Sequence, residues 1–147
     1  MEKQPGQWIV LPLEGVSATD DALYGRMEWL VENEAVVKEI IKEILLMYRR
    51  IQADPSYANE LRDQYQLMPD LPAEIVKRIP SYYKISSERG LYSVNGGGIQ
   101  AAKTDLEFFQ IAGQLKGEAK DLKVEDFWYR KPWNDVLDEI GRINIEY

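Results

Sequence analysis

Apolar side chains recur at Met27, Leu30, Val31, Ile40, Ile41, Ile44, Leu45, Tyr48 and Ile51, with Glu32, Lys38, Glu39, Lys42, Glu43, Arg49 and Arg50 on the other side. Steps of three and four predict a helix over this stretch with one buried face, broken near Asn33, where Asn33-Glu34 ends a short helix and caps the next. Upstream, the apolar run WIVLPL (residues 8–13), punctuated by Pro12, reads as an edge or terminal strand. The polar stretch 14–21 reads as a loop, and residues 22–26 (ALYGR) read as a second short strand. Downstream, Asp54-Pro55 offers a helix cap followed by proline, with Tyr57, Ala58, Leu61 and Tyr65 on one face of a helix ending near Gln66. Leu71-Pro72 starts another, with Ile75, Val76 and Ile79 facing inward until Pro80 kinks or stops it. Residues 84–98, with Gly90 and then Asn95-Gly96-Gly97-Gly98, read as one long loop. A helix follows over residues 99–115, with Ile99, Ala102, Leu106, Phe109 and Ala112 on one face and Gly117 as its stop. Residues 121–133 read as an aromatic-rich loop or short helix, and a last helix runs from Trp133 to Ile140 before Gly141.

The expected fold class is therefore mainly α with one or two short β-strands. Residues 1–147 are read as a single domain, 1–26 being a strand and loop lead-in and 27–147 the helical portion. At 147 residues with 45% hydrophobic side chains the chain is long enough to bury a core. Lys and Arg number 18 against 25 Asp and Glu, a formal charge of −7, so nucleic acid and anionic lipid are not the expected partners. The absence of both His and Cys removes thiolate nucleophiles, imidazole bases and the usual zinc ligands. No catalytic residue, metal or cofactor is expected. The first residues, MEKQPG, carry no apolar signal-peptide core, and no stretch approaches the ~20 apolar residues of a membrane helix.

Four constellations carry candidate chemistry. Asn95-Gly96-Gly97-Gly98 ahead of a helix offers backbone N–H groups to an anion, but it lacks the Lys-Ser/Thr of a phosphate loop, and a turn that needs positive φ is the plainer reading. Asp20-Asp21 and Glu125-Asp126 are sequence neighbours, which rarely converge on one bond, so loop solvation and first-turn helix charge account for them. Tyr82-Tyr83, Phe127-Trp128-Tyr129 and Trp133 suit core filling, with ligand stacking as the sharper alternative. Tyr24 and Arg26 pair a phenol with a planar guanidinium suited to a sulfonate or carboxylate, against a plainer reading of a surface ion pair and a packed tyrosine.

The serial order of short motifs resembles one family. Asn33-Glu34-Ala35-Val36-Val37-Lys38 resembles the "NPELVK" motif of bacterial solute-binding proteins serving nitrate, sulfonate and taurine ABC transporters, with Glu34 in place of the proline. Ala53 to Ala58 resembles its "NPEEAA", residues 67–80 its "GLPPEVVEKALP", and residues 91–97 with Leu106-Glu107-Phe108-Phe109 its "VNGG…LDFF". Residues 113–117 and 124–128 resemble its "GQLKG…VEDFWD" ending, so the likeness runs roughly from Ala22 to Gly141. The resemblance implies the C-terminal helical portion of a two-lobed α/β periplasmic-binding-protein fold. It further implies a small-molecule ligand shared with an N-terminal lobe absent from this sequence, a transporter permease as partner, and a periplasmic or extracytoplasmic setting. None of the family's ligand-contacting motifs maps onto a residue here, so Tyr24 and Arg26 are the ligand-binding candidates from residue chemistry alone. Helix faces meant for the absent lobe predict self-association or marginal solubility. The rival reading is a stand-alone helical interaction or dimerisation module, and a pyrimidine-processing enzyme ranks last because its catalytic groups would have to lie elsewhere.

Overall fold

The computed structural model describes residues 22–89, 91, 93–117 and 121–144. Among them the regular elements are all helical: α1 (Met27–Glu32), α2 (Glu34–Ala53), α3 (Tyr57–Gln64), α4 (Ala73–Val76), α5 (Ile79–Glu88), α6 (Ile99–Ile111), a 3-10 turn (Val124–Asp126) and α7 (Lys131–Ile140). The mainly helical expectation holds. The strand expected over residues 22–26 is not there: the segment is irregular and exposed. A strand needs a pairing edge, and no other described segment supplies one. The other expected strand, residues 8–13, lies outside the described residues.

The organising pair is α2 and α7. Ile41 and Leu45 recur one turn apart on α2 and close against Val136 and Leu137, with Val37, Trp133 and Ile140 packed around them. Along the flank of this seam run three ion pairs: Lys131 with Glu34, Lys38 with Asp135 at 2.6 Å, and Lys42 with Glu139. Each joins residues 97 apart in sequence, and each step along the ladder is one helical turn, so the two helices run side by side in the same direction. Surface ion pairs of this kind add little stability. A slip of one turn nevertheless loses pairs and sets like charges together, Lys38 against Lys131 in one direction or Glu34 against Asp135 in the other.

Helices that run in the same direction require a long return path, which α3 to α6 supply. On α2, α5 and α3 pack away from the α7 seam, and Ile51 is buried on this helix as well. A second cluster, Ala102, Leu106 and Val124 with Leu115, Leu122 and Trp128, joins α6 to the 3-10 turn.

Several joints differ from expectation, each for a local reason. The break at Asn33 is as expected, but its side chain donates backward to Trp29 O at 2.9 Å rather than capping α2. Asp54 Oδ1 accepts from Ser56 N at 2.9 Å and from Ser56 Oγ at 2.6 Å, a turn that delays α3 to Tyr57. Pro80 stops nothing; it sits in the first turn of α5, where its missing N–H costs no helical bond. The helix α5 therefore occupies residues 79–88, and the expected 84–98 loop is shortened from its front. Ile75, expected inward, is 44% exposed because α4 is a single turn. The stop of α6 is Gly113, not Gly117: with φ +72° it lets Gly113 N bond Gln110 O and Gln114 N bond Phe109 O, the two bonds of a Schellman motif. Ile99 and Phe109, placed on its inner face by spacing, are 40% and 39% exposed, since only the 3-10 turn and its neighbours cover α6.

Candidate functional site

The most connected polar side chain in the described structure is Arg49, on the flank of α2. Its Nε donates to Val94 O at 3.0 Å and its Nη1 to Ile140 O at 3.1 Å. Nη2 donates to Gly141 O at 2.6 Å and reaches Asn95 Oδ1 at 3.3 Å. Ile140 and Gly141 close α7, so a guanidinium from a different helix satisfies carbonyls that a helix end leaves unpaired. Asn95 extends the bracket, its Nδ2 donating to Ile143 O at 2.7 Å and its Oδ1 accepting from Ile143 N at 3.0 Å.

This arrangement settles what the glycine run does locally. Gly96 has φ +72°, and a Cβ there would lie 1.3 Å from Cζ2 of Trp133. The turn is closed by Gly96 N bonding Ser93 O at 2.9 Å and by Ser93 Oγ donating to Gly96 O at 2.5 Å. The Asn95 side chain is spent on Ile143, and Gly96 takes a positive φ against the Trp133 ring, so the plainer reading of a turn requiring positive φ describes residues 93–96.

At the opposite end of the α2–α7 seam lies a polar cluster centred on Glu34, the first residue of α2. Tyr129 OH donates to Glu34 Oε2 at 2.6 Å, Lys131 Nζ donates to Oε1, and Lys38 stands at 3.4 Å. Lys131 also reaches Asp135 at 3.2 Å. The bonds from Lys131 and Tyr129 hold the Glu34 carboxyl down at about 2, while the bond to Glu34 pushes the Tyr129 phenol above its ordinary 10. Lys131 is raised by Glu34 and Asp135, and Lys38 by Asp135, so both stay protonated. Acid–base work at neutral pH wants a group that titrates there, and these groups are driven away from it. The cluster is an electrostatic tie.

Beside the tie is a shallow groove of about 470 Å³, lined by Glu125, Trp128, Tyr129, Arg130, Lys131, Asn134 and Asp135. Trp128, Tyr129 and Arg130 are half-buried there. Core filling is the expectation for most of these aromatics, and the structure divides them. Trp128 packs on the α6 cluster and Trp133 on the α7 core, whereas Phe127 and Tyr82 stay 48% and 58% exposed.

Tyr24 and Arg26 are not brought into either cluster. Tyr24 is 97% exposed, and Arg26 precedes α1, its carbonyl accepting from Leu30 N at 3.0 Å. No hydrogen bond or ion pair joins either side chain to another described residue. Among the described residues no group of acidic side chains is placed to hold a metal ion, and no helix is long and apolar enough to cross a membrane. Sequence reasoning missed Glu34 and Arg49 as hubs; the one local signal was that Glu34 departs from the proline of the motif it resembles. Comparison with known proteins returns no matching family profile, no similar curated protein and no similar solved structure.

Proposed function

We propose that this chain is the C-terminal helical portion of a solute-binding protein for import of nitrate-, sulfonate- or taurine-like molecules, and that it does no chemistry of its own. The observation that carries the reading is the serial order of the resembling motifs, most of which fall on the joints of the fold, while Leu106-Glu107-Phe108-Phe109 lies inside α6. Residues 33–38 open α2, residues 53–58 make the α2–α3 turn, and residues 67–80 run from the turn after α3 through α4 to the first turn of α5. Residues 93–96 make the turn clamped against Trp133, residues 113–117 leave α6 through its Schellman turn, and residues 124–128 hold the 3-10 turn.

A second feature supports it. Large apolar side chains on α5 and α6 stand uncovered, among them Tyr82 (58%), Phe108 (63%) and Ile111 (84%). Uncovered apolar faces on successive helices suit a partner lobe. In this reading that lobe belongs to the intact, extracytoplasmic parent, completes the two-lobed α/β cleft, and presents the bound solute to a membrane permease. Tyr24 and Arg26, exposed on the segment before α1, are the residues proposed to meet an anionic ligand there.

Titration calorimetry with taurine, nitrate and a pyrimidine precursor tests the proposal on two proteins, this chain and a version extended through the upstream coding region. Micromolar binding of one ligand by the extended protein alone is expected. Binding of any of them by the short chain with the same affinity sinks the reading. Light scattering separates the interaction-module alternative, for which a single defined dimer of the short chain is the signature.

A further inference from the structure

The two flanks of α2 carry opposite chemistry. Its lysines are turned to α7, where Lys38 meets Asp135 at 2.6 Å and Lys42 meets Glu139. Away from α7, Val36 (52% exposed), Ile40 (44% exposed), Glu43 and Met47 recur at steps of four, three and four, which places them in one stripe along about 17 Å of helix. Glu39 falls on the same flank by helical spacing. Neither Glu39 nor Glu43 has a cation within ion-pair distance among the described residues; Lys42 feels both from further off but is bonded to Glu139. At its C-terminal end the stripe opens into a dent of about 230 Å³ lined by Glu43, Leu46, Met47, Arg50 and Tyr57. One wall is rigid, because the Arg50 guanidinium lies 3.9 Å over the Tyr57 ring.

We propose that this face of α2 docks a basic amphipathic helix of another polypeptide. The partner's apolar residues lie on Val36, Ile40 and Met47, one of them enters the dent, and its Lys or Arg side chains stand beside Glu39 and Glu43. Charge chooses this occupant over the obvious others. In a two-fold dimer centred on this stripe, Glu39 of one copy would face Glu43 of the other, and like charges brought together across an interface are unfavourable. An anionic membrane surface is repelled for the same reason. The proposal is independent of the transport reading, since it uses only the described face and its charges.

Fluorescence anisotropy with a labelled 18-residue helical peptide of leucine and lysine in amphipathic spacing tests it, run at low salt with the whole chain. Micromolar binding is expected. Glu39→Lys with Glu43→Lys should weaken it about tenfold or more, and Ile40→Asp should do the same. The control Glu74→Lys with Glu107→Lys changes net charge equally at exposed sites elsewhere and should leave affinity within about twofold. Circular dichroism checks that each variant keeps its helix content. Equal loss in both charge-reversed variants would mean unspecific attraction to an acidic protein and overturns the proposal. So does binding of a leucine–glutamate peptide as tight as that of the leucine–lysine one, or a defined dimer of the chain that Ile40→Asp dissolves.

Discussion

Replacing Arg49 with methionine keeps the stem and removes the fork. Three carbonyls then lose a charged donor: Val94 O, Ile140 O and Gly141 O, at 3.0, 3.1 and 2.6 Å in the native protein. Val94 itself has no solvent-exposed surface, and the first two bonds are partly buried, so water replaces them poorly. A hydrogen bond to a charged group contributes about 1.5–3 kcal/mol when buried, and about half of that is a fair allowance for partial exposure. The Gly141 bond is exposed and adds least, and the 3.3 Å contact to Asn95 adds almost nothing. The sum is about 3 kcal/mol, a large share of the roughly 5–15 kcal/mol that a domain has. The adjacent Arg50 is the built-in control, because it stacks on Tyr57 at the surface and Arg50→Met should cost at most about 1 kcal/mol. Arg49→Lys should recover less than half of the loss, since one ammonium cannot address carbonyls that lie in different directions. Urea denaturation followed at 222 nm reads all three variants, and Arg49→Met should lower the midpoint by about 1–2 M. If Arg49→Met and Arg50→Met unfold at the same midpoint, the guanidinium does not fasten the end of α7 to α2 and the reasoning fails.

Two further outcomes follow from the same seam. Gly96→Ala forces a methyl into the Trp133 ring at a positive φ and should lower the thermal midpoint by several degrees, whereas Gly97→Ala, with nothing within 4 Å of its Cβ, should change it little; similar melts for the two would refute the close packing at Gly96. Glu34 has a folded carboxyl near 2 against an ordinary 4.5, so its contribution is present above about pH 4.5 and is lost as pH falls toward 2; Glu34→Gln should flatten that acid limb, and a carboxyl titrating near 4.5 in carbon-13 NMR would contradict the tie.

Much of α2 and α7 was legible because their information is local. An amphipathic period over twenty residues, a polar break at Asn33 and a glycine after Ile140 need no tertiary partner to be read. The misread joints are those where one residue type has two uses. Pro80 ends a helix if it falls inside one and begins a helix if it falls in the first turn, and only the packing of α5 on α2 and α3 decides. Gly113 and Gly117 both take positive φ, so glycine content alone does not say which one closes α6. A strand at residues 22–26 was inferred from composition, but a strand is a relation between two segments, and composition does not say which segment it pairs with. The hubs were hidden for the same reason. Arg49 meets Ile140 across 91 residues and Glu34 meets Tyr129 across 95, and no local pattern marks either.

Glu34 shows how a departure from a motif can be absorbed by tertiary structure. A proline at the first position of a helix fixes φ and gives up an N–H that has no helical partner. Glutamate gives neither benefit, but its charge is favourable at that end of the helix and its carboxylate can be bound from outside. Here it is bound by Tyr129, just ahead of α7, and by Lys131, the first residue of α7. Aspartate in place of Tyr129 would confront Glu34 with a second negative charge, whereas a phenol donates to it. Glu34 and Tyr129 are therefore a compatible pair. Their contact ties the start of α2 to the start of α7, while Arg49 ties α2 to the end of α7. The parallel pair is thus fastened near both ends by side chains that cross from one helix to the other.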